Sequence, residues 1–422
     1  MQRSSAHDAA PRAPHHGPST ARSDVPRAPL PRAVPVLALA LLVVTTSEFQ
    51  VAAMLSAIAG DLHVPVAHLG LLVTVYSLGA GLGGPVLARA LPSREPRAAL
   101  IGVLLAYAVT EAAAGLATEP WLLHVLRAVT GTLSGATFGL TLTLGMQVAP
   151  AALRTRASAV ILSGLMLGTL LGLPLSHTLA ERVGWRASFL LLAIAAGLVA
   201  AAVLALVPTA HGDRVSGNGS TDHGEAASSE ASVGPGGDPG SPLRSGALWM
   251  RYLGSFLTIG GAFAAFAFID PILGRAGILG GAATLVMLGF GAAALGVNLL
   301  GGRVEEAGRA RGWLLAGLGV QCAALLALLA LPTAAPVAVV AALALGASGM
   351  ALNPLLVTRV TAVAPADVLV NTVHTSAITL GVAAATALGS LMFGLVSSSS
   401  GTVAVGAALT LAALAVTGLA RG

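Results

Sequence analysis

Twelve stretches, each about 20 residues long and nearly free of charge, follow one another along the chain. They lie near 34–59, 68–90, 98–117, 121–146, 157–180, 186–207, 248–270, 279–302, 312–331, 335–358, 368–395 and 401–420. A helix of that length crosses the hydrocarbon core of a bilayer with its backbone satisfied internally. Most connections are shorter than a dozen residues, so neighbouring helices run antiparallel. With 55% hydrophobic and 9% charged residues in 422, the chain is excluded from the soluble globular class. Ala and Gly within the runs suit helices that approach one another closely.

Every one of the 22 basic residues is Arg. If the N-terminus is cytoplasmic, only Arg182, Arg186 and Arg275 fall on the outer side and Arg127 falls inside a run; the others lie inside. Both termini of a multi-pass cell-membrane protein are therefore expected in the cytoplasm. The formal charge of +5 is then a matter of loop arginines, and no nucleic-acid partner is expected. A single cysteine, Cys322, excludes a disulfide framework. HExxH, GxSxG, a phosphate loop ending in GK[ST] and metal-spaced Cys/His sets are missing, so no enzyme, cofactor or metal site is expected.

Two segments differ from the runs. Residues 1–32, rich in Pro, Arg, His and Ser, read as a disordered cytoplasmic tail, and 208–247, rich in Gly, Ser, Pro and acids, as a flexible cytoplasmic linker. They leave six runs in 33–207 and six in 248–422. The stretches 78–97 and 290–311 echo one another as a Gly-punctuated helix, a charged turn and a new apolar run. The expected fold is an all-α membrane protein of twelve transmembrane helices in two pseudo-symmetric six-helix bundles, an architecture of transporters.

An ionisable carboxylate, Glu48, stands in the first run within TTSEFQVAAM (45–54). It lies about 11 residues, or ~16 Å, from the outer end of that run, near the middle of a ~30 Å hydrocarbon core. An acid at that depth is a functional candidate by default. Glu48 is expected either to carry a proton or to be hydrogen-bonded permanently to a neighbouring helix. Arg127, in the fourth run, is the intramembrane counter-charge, with two partners open to it. One is Glu111 of the third run, at a similar depth, which would make a structural ion pair; the other is Glu48, which would make Arg127 part of the proton site.

Gln50, Phe263, Phe266, Asn353 and His374 are candidate substrate contacts, although polar groups also tie helices together and aromatic rings also face lipid. Gly164, Gly168 and Gly172 share one helix face, and Pro174 on the next turn is expected to bend that helix. Together they serve either as a hinge or as static packing.

Several segments carry a resemblance to a known family: SEFQVAAMLSAIAGDL (47–62), LRAVTGTLSGA (126–136), GLMLGTLLGLPLSHTLAERVGWRASF (164–189) and GASGMALNPLLVTRV (346–360). The chain resembles the major facilitator superfamily, and within it the twelve-helix drug:proton antiporters of the sugar-efflux and chloramphenicol-resistance branch. The segment ending in Gly-Trp-Arg is the most specific match. Ala88 departs from the superfamily, which usually has Asp there, and Thr379 stands where the branch commonly has Asn. The resemblance implies a monomeric secondary active transporter in the lipid bilayer that exports small amphipathic or hydroxylated molecules by alternating access. Protons would be the exchanged ion, with Glu48 and Arg127 as the coupling residues. The alternatives are an uncoupled or sugar-type permease and a non-transporting membrane sensor or scaffold.

Overall fold

The computed structural model describes residues 29–90, 95–208, 245–305, 310–349, 352–364 and 368–419. Most of the N-terminal tail, nearly all of the linker, and Glu306 lie outside them. Every regular element among the described residues is helical. The first half holds α1 (Ala33–Gln50), α2 (Leu55–Leu62), α3 (Val66–Ala90), α4 (Pro96–Leu116), α5 (Pro120–Val148), α6 (Arg154–Arg182) and α7 (Trp185–Leu206). The second half holds α8 (Gly246–Phe266), α9 (Ile269–Arg275), α10 (Gly280–Glu305), α11 (Ala310–Ala330), α12 (Ala335–Ser348), α13 (Asn353–Thr361), α14 (Val368–Val396) and α15 (Ser399–Leu419).

Among the described residues, ten spans are long and apolar enough to cross a membrane, and the pair α8–α9, bent by 49°, makes an eleventh. The twelfth expected span is α5, whose 29 residues suffice in length but whose apolar character is diluted by Thr, Ser and Gly. Four of its hydroxyls bond to their own helix: Thr130, Thr132, Thr137 and Thr143 donate to the carbonyls of Leu126, Ala128, Leu133 and Gly139 at 2.7–3.0 Å. A hydroxyl satisfied within its own helix is tolerated where water is scarce.

Three runs expected to be continuous are interrupted. The first ends as α1 at Gln50, passes through a 3₁₀ turn at Val51–Ala53 and resumes as α2, with Met54 at φ −142° and ψ 21° between them. The seventh breaks between Phe266 and Ile269. The tenth is divided into α12 and α13, with Gly349 at ψ −105° after α12. No Pro or charge marks the first break, so hydropathy alone runs straight through it, whereas Asp270 and Pro271 stand in the first turn of α9 directly after the second. Pro174, expected to bend its helix, lies inside an unbroken α6, and Thr178 donates to its carbonyl at 2.7 Å.

Glycine contacts make the two-fold repeat visible. A Cβ on Gly131 of α5 would strike the Tyr76 carbonyl of α3, and one on Gly346 of α12 would strike the Phe290 carbonyl of α10. Gly164 of α6 meets Ala38 of α1 in the same way, as Gly381 of α14 meets Phe256 of α8. Second and fourth spans, and first and fifth, are thus pressed together identically in both halves.

The halves meet along α3 with α14 and along α6 with α10. Thr74 and Thr386 share a hydrogen bond of 2.8 Å across the first seam, and His177 Nδ1 and Thr284 Oγ1 one of 2.9 Å across the second. The Ser56 N–H, in the first turn of α2, donates to the Asp270 carboxylate of α9 at 2.7 Å. Asp270 thereby satisfies a backbone N–H in the first turn of a helix of the opposite half. Both Ser56–Asp270 and His177–Thr284 lie at the end of the molecule away from the chain termini.

Candidate functional site

Residues 45–50 place five polar side chains in succession around one apolar helix, with Phe49 between the last two. A helix advances 100° per residue, so these groups are distributed between different neighbours. Ser47 and Gln50, three residues apart, share a face and enter the interior of the first half, where both are fully buried. Glu48, turned away from them, is half-buried.

Ser47 is the centre of a dry polar network. Its hydroxyl donates to Glu111 Oε1 at 2.6 Å and accepts from Arg127 Nη1 at 2.8 Å and from Gln50 Nε2 at 3.2 Å. Gln50 Nε2 also donates to Glu111 Oε2 at 3.1 Å, and Gln50 Oε1 accepts from Ser188 Oγ, itself bonded to Ser176 Oγ. Arg127 Nη2 donates to the Ser47 carbonyl at 3.1 Å, and the guanidinium lies 4.2 Å from the centre of the Tyr76 ring. Between Arg127 and Glu111 the charged atoms are 3.7 Å apart, with neither side chain exposed. A buried pair of this kind holds only if further hydrogen bonds offset desolvation, and Ser47 and Gln50 supply them.

The Arg127 bond to the Ser47 carbonyl also bears on the break in the first span. That carbonyl lies in the last turn of α1, where helical acceptors lose their partners. An arginine at a helix C-terminus both satisfies such an acceptor and matches the helix dipole. Arg127 thus pairs with Glu111 by contact, and it interacts with Glu48 only through space. Among the described residues, no side chain donates a hydrogen bond to Glu48.

The neighbouring Phe49 turns to the second half. Its ring is 6.5 Å from Phe263 and 5.2 Å from Phe266, and Phe266 stacks on Phe290 at 4.9 Å. The cavity among Phe49, Phe263, Phe266, Phe290 and Thr169 is about 10 Å³, room for roughly one water molecule. In this state the rings fill one another's space. Sequence reasoning does not single out Phe49 or Phe290; the adjacency of Phe49 to Glu48 is the available signal.

The remaining candidates are scattered. Gln50 belongs to the Ser47 network. Asn353, at the start of α13, keeps a buried Oδ1 without a partner. His374 bonds to Ser255 at 2.9 Å and stacks on Tyr252 at the opposite end of α8 from Phe266. Gly164, Gly168 and Gly172 pack against Ala38, Leu42 with Thr45, and Thr46 with Phe49. That face is the α1–α6 interface, which carries the backbone of the Glu48 segment.

The profile of the Major Facilitator Superfamily matches residues 37–373. The chain belongs to the Major Facilitator Superfamily. It is a membrane transporter, not an enzyme, and its substrate is a small molecule. Among superfamily members, the chloramphenicol resistance protein of Streptomyces lividans is 28% identical over 362 residues, covering 84% of this chain and 87% of the relative. A probable sugar efflux transporter of Mannheimia succiniciproducens is 26% identical over 270 residues, 64% of either chain, so the match spans less than two thirds of that relative. A bacterial homologue of the human lysosomal transporter Spinster, solved in an inward-facing, unoccupied conformation, superposes with a TM-score of 0.65 at 16% identity, covering 92% of this chain and 94% of the other. That likeness is one of fold.

Proposed function

We propose that this transporter exports small amphipathic or hydroxylated molecules in exchange for protons carried on Glu48. One observation carries the reading. Of the two acids near Arg127, Glu111 is fully buried and held by Ser47, Gln50 and Arg127, whereas Glu48 is half-buried and accepts no hydrogen bond among the described residues. An acid locked into dry contacts holds one protonation state; an acid reaching a crevice exchanges with water.

Glu48 also stands beside Phe49, whose ring meets Phe263 and Phe266, so cargo on those rings would lie next to the protonatable group. The relatives named for chloramphenicol resistance and sugar efflux support export of compact, hydroxylated cargo. Closure at the end away from the termini suits a state open toward them, which is the inward-open state if both termini are cytoplasmic.

The energetics suffice. One proton crossing ~100 mV releases about 2.3 kcal/mol and one pH unit adds about 1.4 kcal/mol, enough to sustain a gradient of a few hundred-fold for a neutral substrate.

Proteoliposomes with chloramphenicol and a neutral sugar as probes test the reading. An imposed pH gradient should drive accumulation of at least one probe. Adding that probe to the solubilised protein should release protons, and Glu48→Gln should abolish the release. Unchanged release in the variant removes Glu48 from the role, and uptake indifferent to the gradient leaves an uncoupled permease.

A further inference from the structure

A second charged cluster lies far from Glu48, at the end of the bundle that carries the chain termini. Leu248, Tyr252, Val360 and Ala364 form one apolar cluster, joining the first turns of α8 to the last turn of α13 and the residues just beyond it. Arg251 is next to Tyr252 in that cluster and Arg359 next to Val360. Arg311, in the first turn of α11, joins them, because α13 packs against both α8 and α11 and Arg359 feels the charge of both Arg251 and Arg311.

Three like charges are thereby held together, and among the described residues no carboxylate forms an ion pair with any of them. Arg359 is only 9% exposed, and its Nη2 is buried without a partner. The Nε atoms of Arg251 and Arg311 are likewise buried and unpartnered, while Arg311 Nη2 donates to the Gly418 carbonyl at 2.8 Å. A nine-tenths buried guanidinium with a free N–H is costly unless an anion completes it.

The depth of the cluster indicates where that anion comes from. Trp249 stands two residues before Arg251 and Trp313 two after Arg311, and these indoles are 53% and 54% exposed. Exposed Trp at span ends marks the headgroup level of a bilayer. Guanidinium groups between helices at that level match a phosphate ester in charge and in donor geometry.

We infer that Arg251, Arg311 and Arg359 form a phosphate site filled from the adjacent leaflet by the headgroup of an anionic phospholipid. The site lies at one end of the second half, so it is separate from the proposed proton site and stands or falls independently of it.

The test is native mass spectrometry of the delipidated full-length protein titrated with phosphatidylglycerol or phosphatidylcholine. Wild type should retain phosphatidylglycerol in preference, and Arg251→Gln and Arg359→Gln should each weaken that retention about fivefold, the loss of one near-surface arginine. Arg251 is half-buried, so its variant tests the site even if Arg359→Gln fails to fold; Arg275→Gln, at the other end of α8–α9, should leave retention unchanged. No preference for phosphatidylglycerol in wild type overturns the proposal. Displacement of the lipid by millimolar inorganic phosphate reassigns the site to a free anion and also overturns it. A preference that appears only in Glu305→Gln/Glu306→Gln/Asp367→Asn makes the chain's own acids the occupant and overturns it equally.

Discussion

Glu111 and Glu48 flank one arginine, and their surroundings divide the work. Glu111 receives Ser47, Gln50 and Arg127 in a dry interior, so neutralising it leaves the Arg127 charge buried and uncompensated. Breaking a buried pair from one side costs about 3–5 kcal/mol. Thermal unfolding of the purified protein should therefore show Glu111→Gln strongly destabilised, whereas Glu48→Gln, at a half-buried and unbonded position, should unfold within a few degrees of wild type. Equal losses in the two variants would contradict the division. Depth along the helix makes Glu48, Arg127 and Glu111 legible in the sequence, because an ionisable group inside an apolar run is conspicuous. Which acid touches Arg127 is not legible there. That choice turns on the rotation of α1 about its axis, and with polar residues all around the helix from Thr45 to Gln50 no periodic stripe records it.

Among the elements, the short helix α2 is tied to α7 by polar contacts at its C-terminal end. The Asp61 carboxylate, at the end of α2, accepts from Arg186 and from Trp185 Nε1 of α7, and these bonds hold its pKa below the ordinary 3.8. The folded pKa is thus lower than the unfolded one. The stabilisation is therefore complete above the ordinary value and disappears as pH falls through the depressed one. Asp61→Asn should lower the unfolding temperature slightly and by the same amount from pH 5 to pH 8, since a half-exposed pair is worth on the order of 0.5 kcal/mol. The difference should vanish only well below pH 4. Packing acts more harshly on the long helices. A Cβ at Gly164 would overlap the Ala38 carbonyl, so Gly164→Val should force α1 and α6 apart and reduce folded yield by size-exclusion chromatography, while Gly197→Val, in open space, should not. The glycine spacing makes this face readable from the sequence. The break at Met54 is not readable, because apolar residues continue through it; the one after Phe266 has a signal in Asp270 and Pro271, which open α9.

For the whole molecule, the repeat places different chemistry at matching positions. Tyr76 and Phe290 occupy matching contacts beneath Gly131 and Gly346, yet Tyr76 covers the Arg127 guanidinium while Phe290 stacks on Phe266. The first half thus holds charge where the second holds aromatic surface, which suits a proton site and a cargo site facing each other across one crevice. The all-helical membrane fold is legible because hydropathy records it; how the two halves close on one another is not, since that depends on polar contacts between distant residues. Those contacts tie the halves at the end away from the termini, through Ser56–Asp270 and His177–Thr284. Exchange between bundles requires that end to part. In a Cys322→Ala background, His177→Cys with Thr284→Cys should therefore be joined readily by a short bifunctional thiol reagent. The joined protein should stay folded, lose transport in proteoliposomes to the level of empty vesicles, and recover when a cleavable reagent is reduced. Transport at the full rate with the tether intact would mean that cargo crosses without separation of α6 from α10 at this end, and rigid-body rocking of the two bundles would have to be abandoned.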